Sequence, residues 1–315
     1  MAHAPLAFLF PGQGSQSVGM GKELAEKYSI ARETFAEADS ALGYQLSKLC
    51  FDGPEDKLKL TEITQPAILT ASVAAQRVLS EKGVRPAYVA GHSLGEYSAH
   101  VAVGTLAFAD AVRAVAKRGK YMQEAVPVGV GAMAAVLALG LEPLEAACRQ
   151  AEQEVGGTVA PANINSPDQI VISGSKAAVE RAAELAKEKG AKRAVMLAVS
   201  APFHCSLMQP AQDRLAQDLR NLHFAAPAVP VATNVDAKLV RDGAEARDAL
   251  IRQVTGAVQW VRSIQLLIAS GVERFVEVGP GKVLTGLLRQ IDRSKTGLNV
   301  ENEDSLQKTI SALSG

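Results

Sequence analysis

Short apolar runs alternate along this chain with segments whose apolar residues recur every three to four positions. That alternation predicts an α/β architecture with a mainly parallel sheet. Leu6–Phe10 reads as a buried strand, and Gly12, Gly14 and Gly19 mark the loop after it. Leu24, Ala25, Tyr28, Ala31 and Phe35 fall at helical spacing, so one helix is expected over 21–38. Another covers 67–79 and stops before Gly83. A short strand at 87–90 runs into Gly91-His92-Ser93-Leu94-Gly95 and a helix of small residues, and 109–124 forms one more helix.

The middle of the chain has a different order: strand 131–139, helix 142–154, strands 158–163 and 169–173, helix 176–189, strand 192–199. This is β-α-β-β-α-β, a ferredoxin-like split unit. Pro127 and Gly129 bound it on one side and Pro202 on the other. The expected organisation is a small domain over 128–199 inserted into a larger one made of 1–127 and 200–315. The α/β pattern then resumes, with a helix around 207–222, a strand near 229–233, helices over 244–254 and 261–270, and the strand Arg274–Val278 before Gly279-Pro280-Gly281.

At 315 residues the chain has room for two domains or one large one, and 48% hydrophobic residues against 21% charged ones can fill a core. Lys+Arg and Asp+Glu number 33 each, for a net charge of +0, which argues against a nucleic-acid binder driven by phosphate neutralisation. Aromatics at 4% are too few for a base-stacking surface. Cys50, Cys148 and Cys205 are far apart and form neither a zinc pattern nor a disulfide framework, so a reducing, cytoplasmic setting is expected. No Lys or Arg precedes Leu6–Phe10, which argues against a secretory signal. The uncharged run 125–141 is diluted by Gly129, Gly131, Gly140 and Pro127. It falls short of the roughly 20 residues a membrane span needs, and reads as loop plus core strand.

Gly91-His92-Ser93-Leu94-Gly95 fits the G-x-S-x-G nucleophile elbow. A strand turning sharply into a helix leaves no room for β-carbons beside the serine, and the helix N-terminus favours negative charge there. The bland alternative is a glycine-rich structural turn. A serine nucleophile needs a base, usually histidine. Of His3, His92, His100, His204 and His223, the last lies at a helix end, His3 in the terminus and His100 inside a helix as a packed or solvated residue. His92 adjoins Ser93 but leaves the elbow in another direction, so a supporting role suits it. His204, in Ala201-Pro202-Phe203-His204-Cys205 after a strand, is the candidate base. An oxyanion hole takes one N–H from the residue after the nucleophile, here Leu94, and one from a separate loop. Gln13 supplies that loop, unless it marks an ordinary βα turn. Arg118 shares a helix with Arg113, Lys117 and Lys120, a pattern that fits a solvated face, although arginine also suits a two-pronged carboxylate clamp.

Together Phe10-Pro11-Gly12-Gln13-Gly14-Ser15-Gln16, Gly91-His92-Ser93-Leu94-Gly95-Glu96-Tyr97, Arg118-Gly119-Lys120-Tyr121-Met122-Gln123 and Phe203-His204-Cys205 resemble the malonyl-CoA:acyl carrier protein transacylases of bacterial fatty-acid synthesis. Asn163-Ile164-Asn165-Ser166-Pro167 and Glu277-Val278-Gly279-Pro280-Gly281 match as well, so the resemblance covers nearly the whole chain. It implies an α/β-hydrolase-like large domain with a ferredoxin-like insert. It implies Ser93 as nucleophile, His204 as base, and a backbone carbonyl near Gln253 orienting the imidazole where other triads place an acid. Gln13 and Leu94 become the oxyanion donors and Arg118 the seat of the malonyl carboxylate, with His92 and Asn163 lining the site. The implied partners are malonyl-CoA and the phosphopantetheine arm of acyl carrier protein, with no cofactor, metal, nucleic acid or membrane. Arg113, Lys117, Lys120, Lys192 and Arg193 are candidates for a basic docking surface, or ordinary solvated charges. Alternatives are a polyketide carrier as acceptor, a serine thioesterase or hydrolase, and a silent docking module. Phe203 departs from the small residue many free-standing members carry, and resembles the malonyl-selective acyltransferase domains of polyketide synthases.

Overall fold

The computed structural model describes residues 5–199 and 201–314. Two sheets organise them. The larger is built from β1 (Leu6–Phe10), β2 (Tyr88–Gly91), β7 (Val231–Ala232), β8 (Leu239–Val240), β9 (Arg274–Val278) and β10 (Thr296–Val300), in the order β10-β9-β1-β2-β7-β8. Every pairing in it is parallel except β7 with β8. β1 and β9 are buried along almost their whole length, and β1, Leu-Ala-Phe-Leu-Phe, accordingly reads as a continuous apolar run without alternation. Helices cover the sheet, among them Thr61–Glu81, whose long apolar face includes Ile68, Leu69, Val73 and Val78.

The smaller sheet is antiparallel and contains β3 (Gly131–Leu137), β4 (Val159–Ser166), β5 (Gln169–Ser175) and β6 (Arg193–Met196) in the order β4-β5-β3-β6. With the helices Leu141–Val155 and Lys176–Glu188 between strands, this is the β-α-β-β-α-β order expected of a ferredoxin-like unit. The mainly parallel sheet plus a small four-stranded antiparallel one is the fold class the residue pattern predicts. The small sheet is tied to the chain just before the helix Trp260–Ala269. Asn163 bridges Val258, with Ile164 N–H donating to the Val258 carbonyl at 2.9 Å and Val258 N–H to Ala162 at 2.8 Å.

Several elements differ from expectation. The single helix over 21–38 is two, Lys22–Lys27 and Ser29–Leu42, because Tyr28 is extended (φ −120°, ψ 122°). Leu24, Ala25, Ala31 and Phe35 still reach the same core across that break, so periodicity alone does not register it. The helix expected from 67 begins at Thr61 and carries Pro66 inside it. The strand expected over 192–199 ends at Met196. The strand β10 and the helix Glu303–Ser314 had no expectation at all.

Candidate active site

β2 ends at Gly91 and the helix Gly95–Ala102 starts four residues later, so the chain reverses within the elbow. A Cβ on Gly91 would run into the Gly95 backbone, and one on Gly95 into the Phe10 carbonyl. Ser93 takes the crowded left-handed conformation, φ 51°. Asn234 holds it there: its Oδ1 accepts from Ser93 N–H at 2.6 Å while its Nδ2 donates to the Gly91 carbonyl at 2.6 Å.

His204 also has positive φ, 59°. Its Nε2 lies 2.7 Å from Ser93 Oγ, and its Nδ1 lies 2.9 Å from the Gln253 carbonyl and 3.1 Å from that of Gly256. Carbonyl oxygens only accept, so Nδ1 must carry the proton and Nε2 presents a lone pair to the serine hydroxyl. Burial, and then the Arg118 cation, push the imidazole down to about 3, so it is neutral at physiological pH.

Arg118 sits on the helix Phe108–Glu124 and is 1% exposed, which rules out the solvated-face reading for it. Its neighbours Arg113, Lys117 and Lys120 do face solvent, with side chains 50%, 52% and 57% exposed and acidic partners at Asp110, Asp218 and Glu124. Arg118 donates from Nη1 to Gln65 Oε1 at 2.9 Å, and from Nη2 to Gln253 Oε1 at 2.9 Å and Ser93 Oγ at 3.1 Å. Its Nε is buried without a hydrogen-bond acceptor. Among the described residues no carboxylate lies within ion-pair distance of it. A buried guanidinium without a counter-ion costs free energy, and an incoming carboxylate would relieve that cost.

Ser93, Leu94, His204 and Arg118 line a cavity of about 150 Å³ together with Gln13, His92, Asn163 and Phe203. Every site residue named from the sequence except Gln253 therefore touches this space, and Gln253 backs it. Among the described residues, neither the Gln13 nor the Leu94 N–H has a protein acceptor. His92 is half-buried against the Trp260 ring, 5.4 Å between centroids, with Nε2 2.8 Å from Asn165 Oδ1. Burial pushes its pKa down. A wider cleft of about 770 Å³ adjoins the cavity and shares Gln13, Leu197 and Val199 with it. That is where the expected last stretch of strand 192–199 goes.

His100 is fully buried, His223 is exposed, and His3 lies outside the described residues. The Glu277 motif is not at the site: its carboxylate accepts from Leu284 N–H, Thr285 N–H and Thr285 Oγ1 and caps the helix Val283–Ile291. Gln65, Asn234 and Gly256, all in contact with site residues, carried no signal in the sequence. They lie on three separated segments and have no motif of their own. Glu96 and Asn165 stood inside quoted motifs, yet no role followed from their types.

Residues 7–308 match the family model described as an acyl transferase domain. The chain is 55% identical over 286 residues to the malonyl CoA-acyl carrier protein transacylase of Salmonella typhimurium, covering 90% of this chain and 92% of that one. It superposes with a TM-score of 0.95 and 50% identity on an acyl carrier protein S-malonyltransferase from Vibrio cholerae, covering 97% of this chain and 100% of that one. A solved structure described as a type II PKS acyl-carrier protein in complex with its malonyl-transacylase also matches, with a TM-score of 0.95, 46% identity, and 98% and 100% coverage. With an elbow serine on a neutral histidine, a buried unpaired arginine beside them and half of its residues shared with these relatives, the chain belongs to the malonyl CoA-acyl carrier protein transacylases of the acyl transferase family.

Proposed function

We propose that the chain moves a malonyl group from malonyl-CoA to the phosphopantetheine thiol of acyl carrier protein, supplying extender units for fatty-acid biosynthesis. The observation that carries this reading is the environment of one atom. Ser93 Oγ lies 2.7 Å from a neutral imidazole nitrogen and 3.1 Å from a buried guanidinium that has no carboxylate in direct contact among the described residues. A hydrolase of neutral esters has no use for the second of these, and a docking module none for the first. The carbonyls of Gln253 and Gly256 orient the imidazole where other triads place a carboxylate.

The malonyl carboxylate pairs with Arg118, which sets the thioester carbonyl over Ser93. His204 Nε2 takes the hydroxyl proton as the Oγ–C bond forms. The N–H groups of Gln13 and Leu94 receive the oxyanion, each donor contributing about 3 kcal/mol. The C–S bond then breaks, the imidazolium returns its proton to the CoA sulfur, and malonyl-Ser93 remains. The carrier thiol, entering through the cleft beside Leu197 and Val199, repeats the steps in reverse, giving ping-pong kinetics.

Arg118 also lowers the basicity of His204. A carboxylate on Arg118 neutralises that repulsion, so malonyl binding makes the base stronger, while an uncharged acyl group does not. Backbone carbonyls stabilise the imidazolium less than a carboxylate would, which thioesters tolerate because thiolates leave readily.

Phe203, on the cavity wall, crowds an α-methyl branch and favours malonyl over methylmalonyl. We take 128–199 as the inserted domain and 1–127 with 200–315 as the catalytic one. The described cysteines are free and buried, which suits a reducing cytoplasm, and no described helix is long and apolar enough to cross a membrane. The test is transfer of labelled malonyl from malonyl-CoA to fatty-acid and polyketide holo-carrier proteins, with CoA release measured in their presence and absence. Release equally fast without any carrier means a thioesterase and rejects the reading.

A further inference from the structure

Glu96 has no part in the chemistry above, yet it is fully buried one turn from the nucleophile. Its Oε2 accepts from Gln253 Nε2 at 2.8 Å and from Asn234 N–H at 2.9 Å. The amide of Gln253 is the point through which the site is assembled. Its Nε2 also donates to the Ser93 carbonyl at 3.0 Å, and its Oε1 accepts from Arg118 Nη2 at 2.9 Å.

These bonds admit one orientation of the amide. The NH₂ must face its acceptors, Glu96 at 2.8 Å, the Ser93 carbonyl at 3.0 Å and Asn234 Oδ1 at 3.4 Å, and the oxygen must face the guanidinium. Without an acceptor at position 96, the shortest bond that holds the NH₂ disappears. A rotated amide would then point N–H groups at a cation.

We propose that Glu96 is a positioning residue for malonyl transfer, acting through the Gln253 side-chain amide to hold the Arg118 guanidinium where the malonyl carboxylate arrives. The proposal rests on the transacylase reading. It assigns Glu96 the work of an acceptor, not of a charge. Groups facing it are His100 on its own helix, with Nε2 3.9 Å from Oε1, Arg118 on the helix Phe108–Glu124, Asp236 beyond β7, and Tyr97. Burial pushes Glu96 up to about 7. A proton on Oε1, which has no partner, leaves Oε2 free to accept both bonds in either state.

The experiment is the ratio of kcat/KM for malonyl-CoA to that for acetyl-CoA, measured in wild type, Glu96→Met, Glu96→Gln, Gln253→Ala and the Glu96→Met/Gln253→Ala double variant. Methionine keeps the volume and removes the acceptor. The ratio is expected to fall about ten-fold, chiefly through KM for malonyl-CoA. Glutamine can place its amide oxygen at the Oε2 position and its NH₂ toward His100, so Glu96→Gln recovers most of the loss. Gln253→Ala, which keeps the backbone carbonyl on His204, loses the ratio as Glu96→Met does, and the double variant is no worse than Gln253→Ala alone.

Equal losses in Glu96→Gln and Glu96→Met, an unchanged ratio in Glu96→Met, or additive losses in the double variant each overturn the proposal. Should Glu96→Met not accumulate folded, an unchanged ratio in Gln253→Ala overturns it as well. Wild type run alongside separates the two readings: with malonyl transfer present there, an unchanged variant ratio counts against Glu96 alone.

Discussion

Replacing Arg118 with methionine keeps an unbranched apolar stem and removes a buried cation that has no carboxylate in direct contact. Two charge-assisted hydrogen bonds to the malonyl carboxylate disappear with it. At about 4 Å and an effective dielectric near 20 the lost attraction is about 4 kcal/mol. The substrate carboxylate no longer recovers its desolvation, while some water enters in place of the guanidinium. A fall of roughly 100- to 1,000-fold in kcat/KM for malonyl-CoA follows, at about 1.4 kcal/mol per factor of ten. The acetyl group carries no charge to clamp, so kcat/KM for acetyl-CoA is spared that loss. It gains from the second effect, because Arg118 is the charge that most depresses His204.

The assay is CoA release with holo-carrier protein for both thioesters between pH 4 and 9. Wild type prefers malonyl-CoA. In Arg118→Met the preference collapses, and the acid limb for acetyl-CoA moves up from about 3 toward the ordinary histidine range. Arg118→Lys, a point charge without the fork, falls between. A folded Arg118→Met enzyme that still prefers malonyl-CoA would refute the reasoning, since the carboxylate would then have to be held elsewhere.

Ser93→Ala leaves no hydroxyl to esterify, so no malonyl-enzyme adduct is expected by mass spectrometry after mixing with malonyl-CoA; a stable adduct in that variant excludes Ser93 as nucleophile. Because His204 is held down to about 3, kcat/KM of the wild type is expected to be flat from pH 8 to pH 5, and an acid limb near 6.5 contradicts the buried geometry. Phe203→Ala opens the cavity wall and should raise the methylmalonyl-to-malonyl kcat/KM ratio by about ten-fold; an unchanged ratio removes the steric role. His100 is buried and depressed to about 3, so the unfolded chain takes up a proton there between pH 6.5 and 3 and stability falls as the pH drops through that window. His100→Leu is expected to flatten the pH dependence of urea unfolding over it by about one proton, or about 1.4 kcal/mol per pH unit; an unchanged slope means the imidazole is not buried neutral.

How much was legible differs from element to element. β1 announces itself because a strand buried on both faces is a short unbroken apolar run. The order of the small sheet followed from counting strands and helices between Pro127 and Pro202. β10, Thr-Gly-Leu-Asn-Val, is half-buried and polar in places, so it gave no such run. The break at Tyr28 was hidden because both short helices turn the same face to one core.

The site divides in the same way. Gly91, Ser93 and Gly95 are legible in the sequence because the elbow is local: three residues within five positions fix its backbone, and the glycines are required by contacts with Phe10 and with each other. Arg118 shows the opposite case. Four cations on one helix look alike in the sequence, and only packing against Tyr97, Gln65 and Gln253 separates the buried one from its exposed neighbours. The Gln253 amide, Asn234 and Glu96 meet across up to 157 residues of chain. Hydrogen bonds at such separation leave no periodicity or spacing behind them, since each partner is chosen by where the fold brings its neighbour. The sequence by itself determined which residue types supply the nucleophile and the base; the tertiary structure decided which cation is stripped of water and which amide holds it, because desolvation belongs to a position in space and not to a residue.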